Sequence, residues 1–408
     1  MTTVTLLITD VAYGGRGVAR LENGKVCFVP GVLTGETVRA VVLHERDGFA
    51  EARLREVVNP SPARVTPACP LAYSCSSSLY CPGCTYQHVD YMEEVRIKQH
   101  QLVSLLSRQA GIDPDLIQPP VPAPLPLGYR NKLSLHAQKD GKETRLGYFA
   151  DDNQTVLDVP ACPLADPAMN RCLAELRNDA SFRHGLRDGM TLTFRHTGRE
   201  AAVWWRGEPR ANETWLVENT LLGLLSVPRG SFFQVNPPVA GLLLSQIMGS
   251  LQTCAPRTVI DLFCGVGLFS LAAAKAGVPE TIGIDVDGPG IVAAEFNARK
   301  LNLTGIRWEA ANAQKALAKL GPTMEADSTA LIVDPPRNGL GRALVQDILR
   351  HPPRHLFYIS CAPDTMVRDL AWLKEGGYIP ERTQLFDMFP RTSHFESLTI
   401  LRHRRTGT

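Results

Sequence analysis

No run of about eighteen apolar residues interrupts this 408-residue chain, so no segment reads as a membrane-spanning helix. The opening Met1-Thr-Thr-Val-Thr-Leu lacks the basic-then-apolar order of a secretory leader, and the protein is expected in the cytoplasm. An excess of one charge is missing too: 43 Lys and Arg face 41 Asp and Glu, a formal net charge of +2. That balance permits a nucleic-acid partner without demanding one, because a local basic patch counts for more than the total. No internal repeat is visible, which sets solenoids aside.

What remains is a globular composition, 44% hydrophobic and 21% charged, long enough for two to four domains. Residues 1–58 alternate apolar and polar positions between turn signals. Runs starting at Thr5, Lys25, Glu36 and Glu51 read as strands, and glycine-rich Tyr13-Gly-Gly-Arg-Gly-Val-Ala-Arg reads as a connection. Strands this short predict a small β-barrel of oligonucleotide-binding type, which either grips RNA or packs on its neighbour. Pro60-Ser-Pro-Ala-Arg is a linker. Helical spacing predicts a helix from Tyr91 to Ala110, stopped by Gly111. Residues 59–224 predict a mixed central domain, with strand-like runs at Lys132 and Thr191. From 225 to 408 the rhythm is strand, glycine loop, helix, the mark of an α/β fold with a doubly wound, Rossmann-like sheet.

Ligands of that fold sit beyond the carboxyl ends of its strands. Asp261-Leu-Phe-Cys-Gly-Val-Gly joins one such strand to its helix, and glycines 265 and 267 allow a ligand close to the backbone. The third glycine of the dinucleotide fingerprint is absent. Asp285 ends the next strand, where a carboxylate accepts both ribose hydroxyls. Both features favour S-adenosylmethionine; the plain alternative is a helix-packing turn with no ligand. Asp334-Pro-Pro-Arg follows a later strand. Methyltransferases acting on amino groups carry an aromatic residue after Pro-Pro, and Arg337 stands there instead. That weakens a reading as an amine methyltransferase.

Ser360-Cys361-Ala-Pro closes another buried strand, and Glu396 lies inside an otherwise apolar strand, Phe395 to Leu401. A lone cysteine is ordinarily a small core residue, and a glutamate in a strand ordinarily sits at an exposed edge. Here both fall at the end of the sheet that carries chemistry. A thiolate adding to carbon 6 of uracil makes carbon 5 nucleophilic toward a sulfonium methyl, and a base must then remove the carbon 5 proton. Cys361 suits the first task and Glu396 the second. The base must leave its stack to reach them.

Ten cysteines are present, and Cys69, Cys75, Cys81 and Cys84 fall in one short stretch. In a reducing compartment such a group reads as a metal site before it reads as disulfides, and four thiolates suit zinc or an iron–sulfur cluster.

These segments together resemble the bacterial 23S rRNA uracil-5-methyltransferases, relatives of the tRNA uridine-54 enzyme. The resemblance spans nearly the whole chain, through Gly14-Gly-Arg-Gly-Val-Ala, Tyr129-Arg-Asn-Lys, Ser231-Phe-Phe-Gln-Val-Asn, Asp261-Leu-Phe-Cys-Gly-Val-Gly, Ser360-Cys-Ala-Pro and Met388-Phe-Pro-Arg-Thr-Ser-His-Phe-Glu. It implies a class I methyltransferase domain at 225–408 and a TRAM-like barrel at 1–58. Cys361 is then the nucleophile and Glu396 the base, while Gln234, Phe263, Asp285, Asn312 and Asp334 contact S-adenosylmethionine. The family's iron–sulfur members use C-x5-C-x2-C with a distant fourth cysteine. Cys75, Cys81, Cys84 and Cys162 fit that spacing and imply a 4Fe-4S cluster, with zinc the rival metal. Cys69 is the rival first ligand, because Pro67-Ala-Cys-Pro is closer to the family's context. Two departures stand out: Ala362 replaces the usual Asn after the nucleophile, and Asn312 replaces an Asp. The implied substrate is RNA, 23S rRNA before tRNA, and the implied state a monomer. A binding module without turnover is the other class of function, which the presence of Cys361 and Glu396 opposes.

Overall fold

The computed structural model describes residues 2–141, 143–198, 201–208 and 215–404. Six strands come first: β1 (Thr3–Leu7), β2 (Asp10–Val11), β3 (Arg16–Arg20), β4 (Val26–Pro30), β5 (Thr37–Glu45) and β6 (Phe49–Asn59). Their order is β1-β5-β6-β4-β3-β2. β1 and β2 are successive pieces of one stretch of chain, one paired with β5 and the other with β3, so the sheet closes into a barrel. Alternating residues such as Leu6, Ala19, Val29, Val38 and Leu54 fill its interior. The sequence predicts a connection over Tyr13 to Arg20, but Arg16–Arg20 is strand β3. Gly17 is there for space rather than for a turn: a Cβ would come within 2.1 Å of Val32.

Helix α1 (Tyr91–Ala110) matches its predicted span. Asp90 caps it by accepting the N–H groups of Met92 and Glu93, and Gly111 ends it in the left-handed conformation. An antiparallel central sheet follows, with β7 (Lys132–Asp140), β8 (Glu143–Phe149) and β9 (Val156–Asp158), helices α2 (Pro167–Asn178) and α3 (Ala180–His184), then β10 (Thr191–Arg195) and β11 (Val203–Arg206). Strand order is β11-β10-β7-β8-β9, and Met169, Leu173 and Phe182 of the two helices cover one face.

A hairpin, β12 (Leu216–Thr220) and β13 (Gly223–Val227), leads into α4 (Pro237–Cys254). The C-terminal sheet then alternates: β14 (Thr258–Leu262), α5 (Leu268–Lys275), β15 (Glu280–Asp285), α6 (Gly288–Lys300), β16 (Ile306–Ala310), α7 (Ala313–Leu320), β17 (Thr329–Val333), α8 (Gly341–Arg350), β18 (His355–Ser360), α9 (Pro363–Glu375), β19 (Tyr378–Phe386) and β20 (Glu396–His403). Its order is β16-β15-β14-β17-β18-β20-β19, parallel except for β20, which runs against both neighbours. The order reverses between β14 and β17, which opens a crevice at their carboxyl ends.

Two features of the expected division differ. A boundary at 224/225 cuts the β12–β13 hairpin, whose Leu222, Leu225 and Val227 belong to the core of the C-terminal sheet. Asn297 of α6 fastens that hairpin, accepting the Ser226 N–H at 2.7 Å and donating to its carbonyl at 2.9 Å. Helix α1 also leaves the expected central domain, since Leu102 and Leu106 pack with Met366 and Leu370 of α9. Proline-rich residues after it run beside β19, with Gln118 N–H on Thr383 O at 2.8 Å and Val121 N–H on Leu385 O at 2.7 Å. Periodicity reports that a helix face is buried but not against which neighbour.

Candidate active site

The loop after β14 forms the crevice floor. Phe263 is held at a positive φ of 67°, a conformation that side chains larger than glycine seldom adopt. Gly265 also has positive φ, and a Cβ there would meet nothing within 4 Å. It therefore borders open space where a ligand can approach. Gly267, expected in the same role, serves packing instead: its Cβ would fall 2.5 Å from Trp308. The Asp285 carboxylate steadies the loop by accepting the N–H of Gly265 at 2.7 Å and of Asp287 at 2.8 Å. Asn312 is exposed and caps α7, its side-chain oxygen accepting from Gln314 and Lys315. Only its NH2 end is left to face a ligand, so the exchange of Asp for Asn keeps the cap. Gln234 is 5% exposed. Its carbonyl accepts the Asn131 amide at 3.2 Å, and nearby Asn236 donates to Met388 O at 3.2 Å, which stitches this segment to the loop after β19.

On the far side of the crevice, Ser360 pairs with Ser397 across β18 and β20. Cys361 directly follows that pair on one strand and Glu396 directly precedes it on the other, close enough for Glu396 to act on the Cys361 thiol. Glu396 is 3% exposed, and its Oε1 has no hydrogen-bond partner among the described residues. Burial, then the nearby Asp334, pushes its carboxyl well above the usual carboxylate range. Burial raises the Cys361 thiol to about 12, with Glu396 and Asp334 adding repulsion and Arg337 opposing them. Asp334 is itself raised to about 7 by burial. The thiol and both carboxyl groups thus hold their protons more tightly than in water, in a site short of positive charge. Ala362 gives α9 no side-chain cap, and the Ser360 hydroxyl takes the Ala362 N–H at 3.1 Å instead.

Asp261 is a site residue that the sequence marked only as the start of a motif. It is fully buried, and burial raises it to about 8 although the Ser270 hydroxyl donates to it at 2.6 Å. Its other oxygen is unpartnered among the described residues.

The loop that leads into Glu396 is anchored by a buried ion cluster. Lys98 of α1 donates to Glu94 and Asp387, each at 2.8 Å, and to Phe389 O at 3.2 Å. Burial pulls its ammonium pKa down, but Glu94 and Asp387 outweigh burial and leave it raised. The Arg391 carbonyl accepts the N–H of Thr85 at 2.9 Å and of Tyr86 at 3.1 Å, which ties this loop to the cysteine segment.

Cys69, Cys81, Cys84 and Cys162 lie within electrostatic reach of one another, while Cys75, expected in the set, packs elsewhere. Burial raises the Cys84 thiol to about 12, with Cys81, Cys162 and Cys69 all close enough to add repulsion. Cys81 is raised to about 11 by burial, with further repulsion from Cys162 and Cys69. Cys75 instead packs against the barrel core. The cause is a fold in the loop: Cys81 N–H bonds Leu71 O at 2.8 Å, which returns the chain to Cys69 and leaves Cys75 on the bulge between. Cys81, Cys84 and Cys162 line a cavity of about 540 Å³ with Arg130, Lys132, Tyr148 and Phe232. Among the described residues, no three His, Cys, Asp or Glu side chains stand close enough to grip a single metal ion.

Residues 224–404 match the family model of the tRNA (uracil-5-)-methyltransferases, and residues 1–54 match the TRAM domain. A 23S rRNA (uracil(1939)-C(5))-methyltransferase of Pseudomonas aeruginosa is 31% identical over 430 residues, covering 97% of this chain and 93% of that one. An uncharacterized RNA methyltransferase of Gloeobacter violaceus is 29% identical, with 98% and 96% covered. The fold is shared with the Pyrococcus abyssi tRNA (uracil-54, C5)-methyltransferase solved with S-adenosyl-L-homocysteine, at a TM-score of 0.75 and 21% identity over 97% of this chain and 99% of that one.

Proposed function

Since the chain belongs to the S-adenosylmethionine-dependent RNA (uracil-5-)-methyltransferases, we propose that it methylates one uridine of 23S rRNA through a covalent bond from Cys361 and a proton taken by Glu396. The observation that supports this reading is the register of β18 and β20, whose last pair, Ser360 and Ser397, is flanked by the half-buried Cys361 and by the buried Glu396 with its unpartnered oxygen. Cys361 and Glu396 first release their protons to solvent, a loss that a bound cationic donor would favour. The sulfur then adds to carbon 6, and the double-bond electrons make carbon 5 a nucleophile. The donor supplies a sulfonium methyl and, with it, the positive charge that this crevice lacks. Arg337 adds to that charge and favours the thiolate. Once carbon 5 carries its methyl group, Glu396 takes the remaining carbon 5 proton. The ring double bond re-forms and expels Cys361. The donor's contacts are assigned to Gln234, Phe263, Asp285, Asn312 and Asp334.

The choice of 23S rRNA rests on the 31% identity with the Pseudomonas enzyme. RNA is taken to follow a cleft of about 680 Å³ lined by Lys132, Arg187, Trp205 and Arg206, which shares Lys132 and Ser134 with the cysteine cavity. Cation plus aromatic lining suits an unstacked strand. Cys69, Cys81, Cys84 and Cys162 are assigned to a 4Fe-4S cluster. Four thiolates are its donor set, and thiols around a cavity suit a cluster better than one zinc ion. The cluster would cross-link residues 69–84 to Cys162 and brace the loop that Arg391 holds.

The test is methyl transfer from labelled S-adenosylmethionine to 23S rRNA and tRNA transcripts, with the product base mapped. Labelled 5-methyluridine at one 23S position supports the proposal; label only in tRNA moves the substrate, and label on an amino group overturns it.

A further inference from the structure

The turn between β2 and β3 leaves the barrel and ends in the catalytic crevice. Gly15 N–H on Ala12 O at 2.9 Å closes the turn. Gln101 of α1 holds it from below, donating to Val11 O at 3.0 Å and Ala12 O at 2.9 Å. Gly15 lies so near Thr85 that a Cβ would stand 2.0 Å from its methyl group. The turn is thus fixed on three sides. At its tip the Tyr13 ring packs edge-on to Phe395, centroids 6.0 Å apart at 73°, one residue before Glu396. Burial raises its phenol to about 12, and Asp364, Arg337 and Cys361 all act on it. A barrel residue, half-buried, therefore packs against the residue that precedes Glu396 and lies within electrostatic reach of Cys361.

We infer that Tyr13 is part of the uridine pocket: its ring walls the side next to Cys361, and its hydroxyl meets the polar edge of the reacting pyrimidine. This rests on the covalent reading above. The barrel then completes the catalytic site rather than only tethering RNA. An uncharged aromatic hydroxyl suits the task, since it offers a donor without adding to the negative charge around Cys361.

Wild type, Tyr13→Phe and Tyr13→Ala are compared as full-length proteins. The RNA is a 23S fragment transcribed with 5-fluorouridine, whose carbon 5 fluorine cannot leave as a proton, so the covalent adduct accumulates. Adduct rate at saturating RNA, RNA affinity, and S-adenosylhomocysteine affinity are measured. Tyr13→Ala is expected to slow adduct formation on the order of 100-fold through misplacement of the ring. Tyr13→Phe is expected to slow it about tenfold through one lost hydrogen bond. Both should keep wild-type affinity for RNA and for S-adenosylhomocysteine. A wild-type adduct rate in Tyr13→Phe overturns the proposal, as does a Tyr13→Ala defect confined to RNA affinity. If Tyr13→Ala fails to fold, Tyr13→Phe decides alone. A wild-type enzyme that forms no adduct overturns the covalent reading itself, a result separable from either variant.

Discussion

At the scale of single residues, Glu396 sets the sharpest expectations. Without a base the reaction should stop after carbon 5 is methylated. Glu396→Gln is therefore expected to accumulate a covalent enzyme–RNA complex on ordinary RNA, visible by denaturing gel, with turnover lowered on the order of 10²–10⁴-fold. Cys361→Ala should form none. Stability should shift as well. Because burial and Asp334 raise the Glu396 carboxyl, the folded chain binds that proton more tightly than the unfolded chain does. The group costs nothing below the unfolded carboxylate pKa, about 4, and destabilises as pH rises above it. Glu396→Gln should therefore melt above wild type at pH 8, and calorimetry should show the gap closing near pH 4. For the cysteines, iron content and visible absorbance decide. Cys69→Ser is expected to lose both, whereas Cys75→Ser should keep them. The proposed catalytic pair could be picked out in sequence because each residue ended or interrupted an apolar strand. Spacing misled for Cys75, since residue count does not show that a hydrogen bond from Cys81 to Leu71 folds the intervening loop out.

Among elements, the joint between α1 and the β19–β20 loop is the one to break. Lys98→Met would leave Glu94 and Asp387 buried without their shared cation. Loss of one partner from such a cluster costs about 3–5 kcal/mol, readable as a lower urea midpoint. The glycine loop allows a paired comparison. Gly265→Ala meets no atom and carries only the left-handed backbone penalty of about 1–2 kcal/mol, so its effect should fall on S-adenosylhomocysteine affinity. Gly267→Ala carries the same penalty plus the collision with Trp308, so its effect should fall on the melting temperature. Strand and helix types were readable from periodicity, and α1 from its Asp90 cap and Gly111 stop. The two glycines could not be told apart, because a fingerprint does not reveal which one faces a tryptophan from β16.

Over the whole molecule, the α/β sheet and the barrel were legible, while the partition between them was not. Strand β12, α1 and the stretch near Val121 precede the matched family segment in sequence yet pack on or pair with its elements. Their apolar faces announce burial and stay silent on the partner. Near-neutral net charge likewise hid the cleft around Lys132 and Arg187. Removing both cations should weaken RNA binding alike for all sequences. Binding measured across a salt series should lose about one to two units of log–log slope.

One consequence follows from the order of the catalytic sheet. β20 is synthesised after β19 yet inserts between β19 and β18, carrying Glu396 at its first position. While a ribosome is still making the chain, β18 presents an unpaired edge and the crevice has no base. Nascent or truncated products that end between β18 and β20 therefore lack the proposed base and carry an exposed strand that invites aggregation. A nonsense mutation between β18 and Glu396 should yield insoluble protein rather than a slow enzyme.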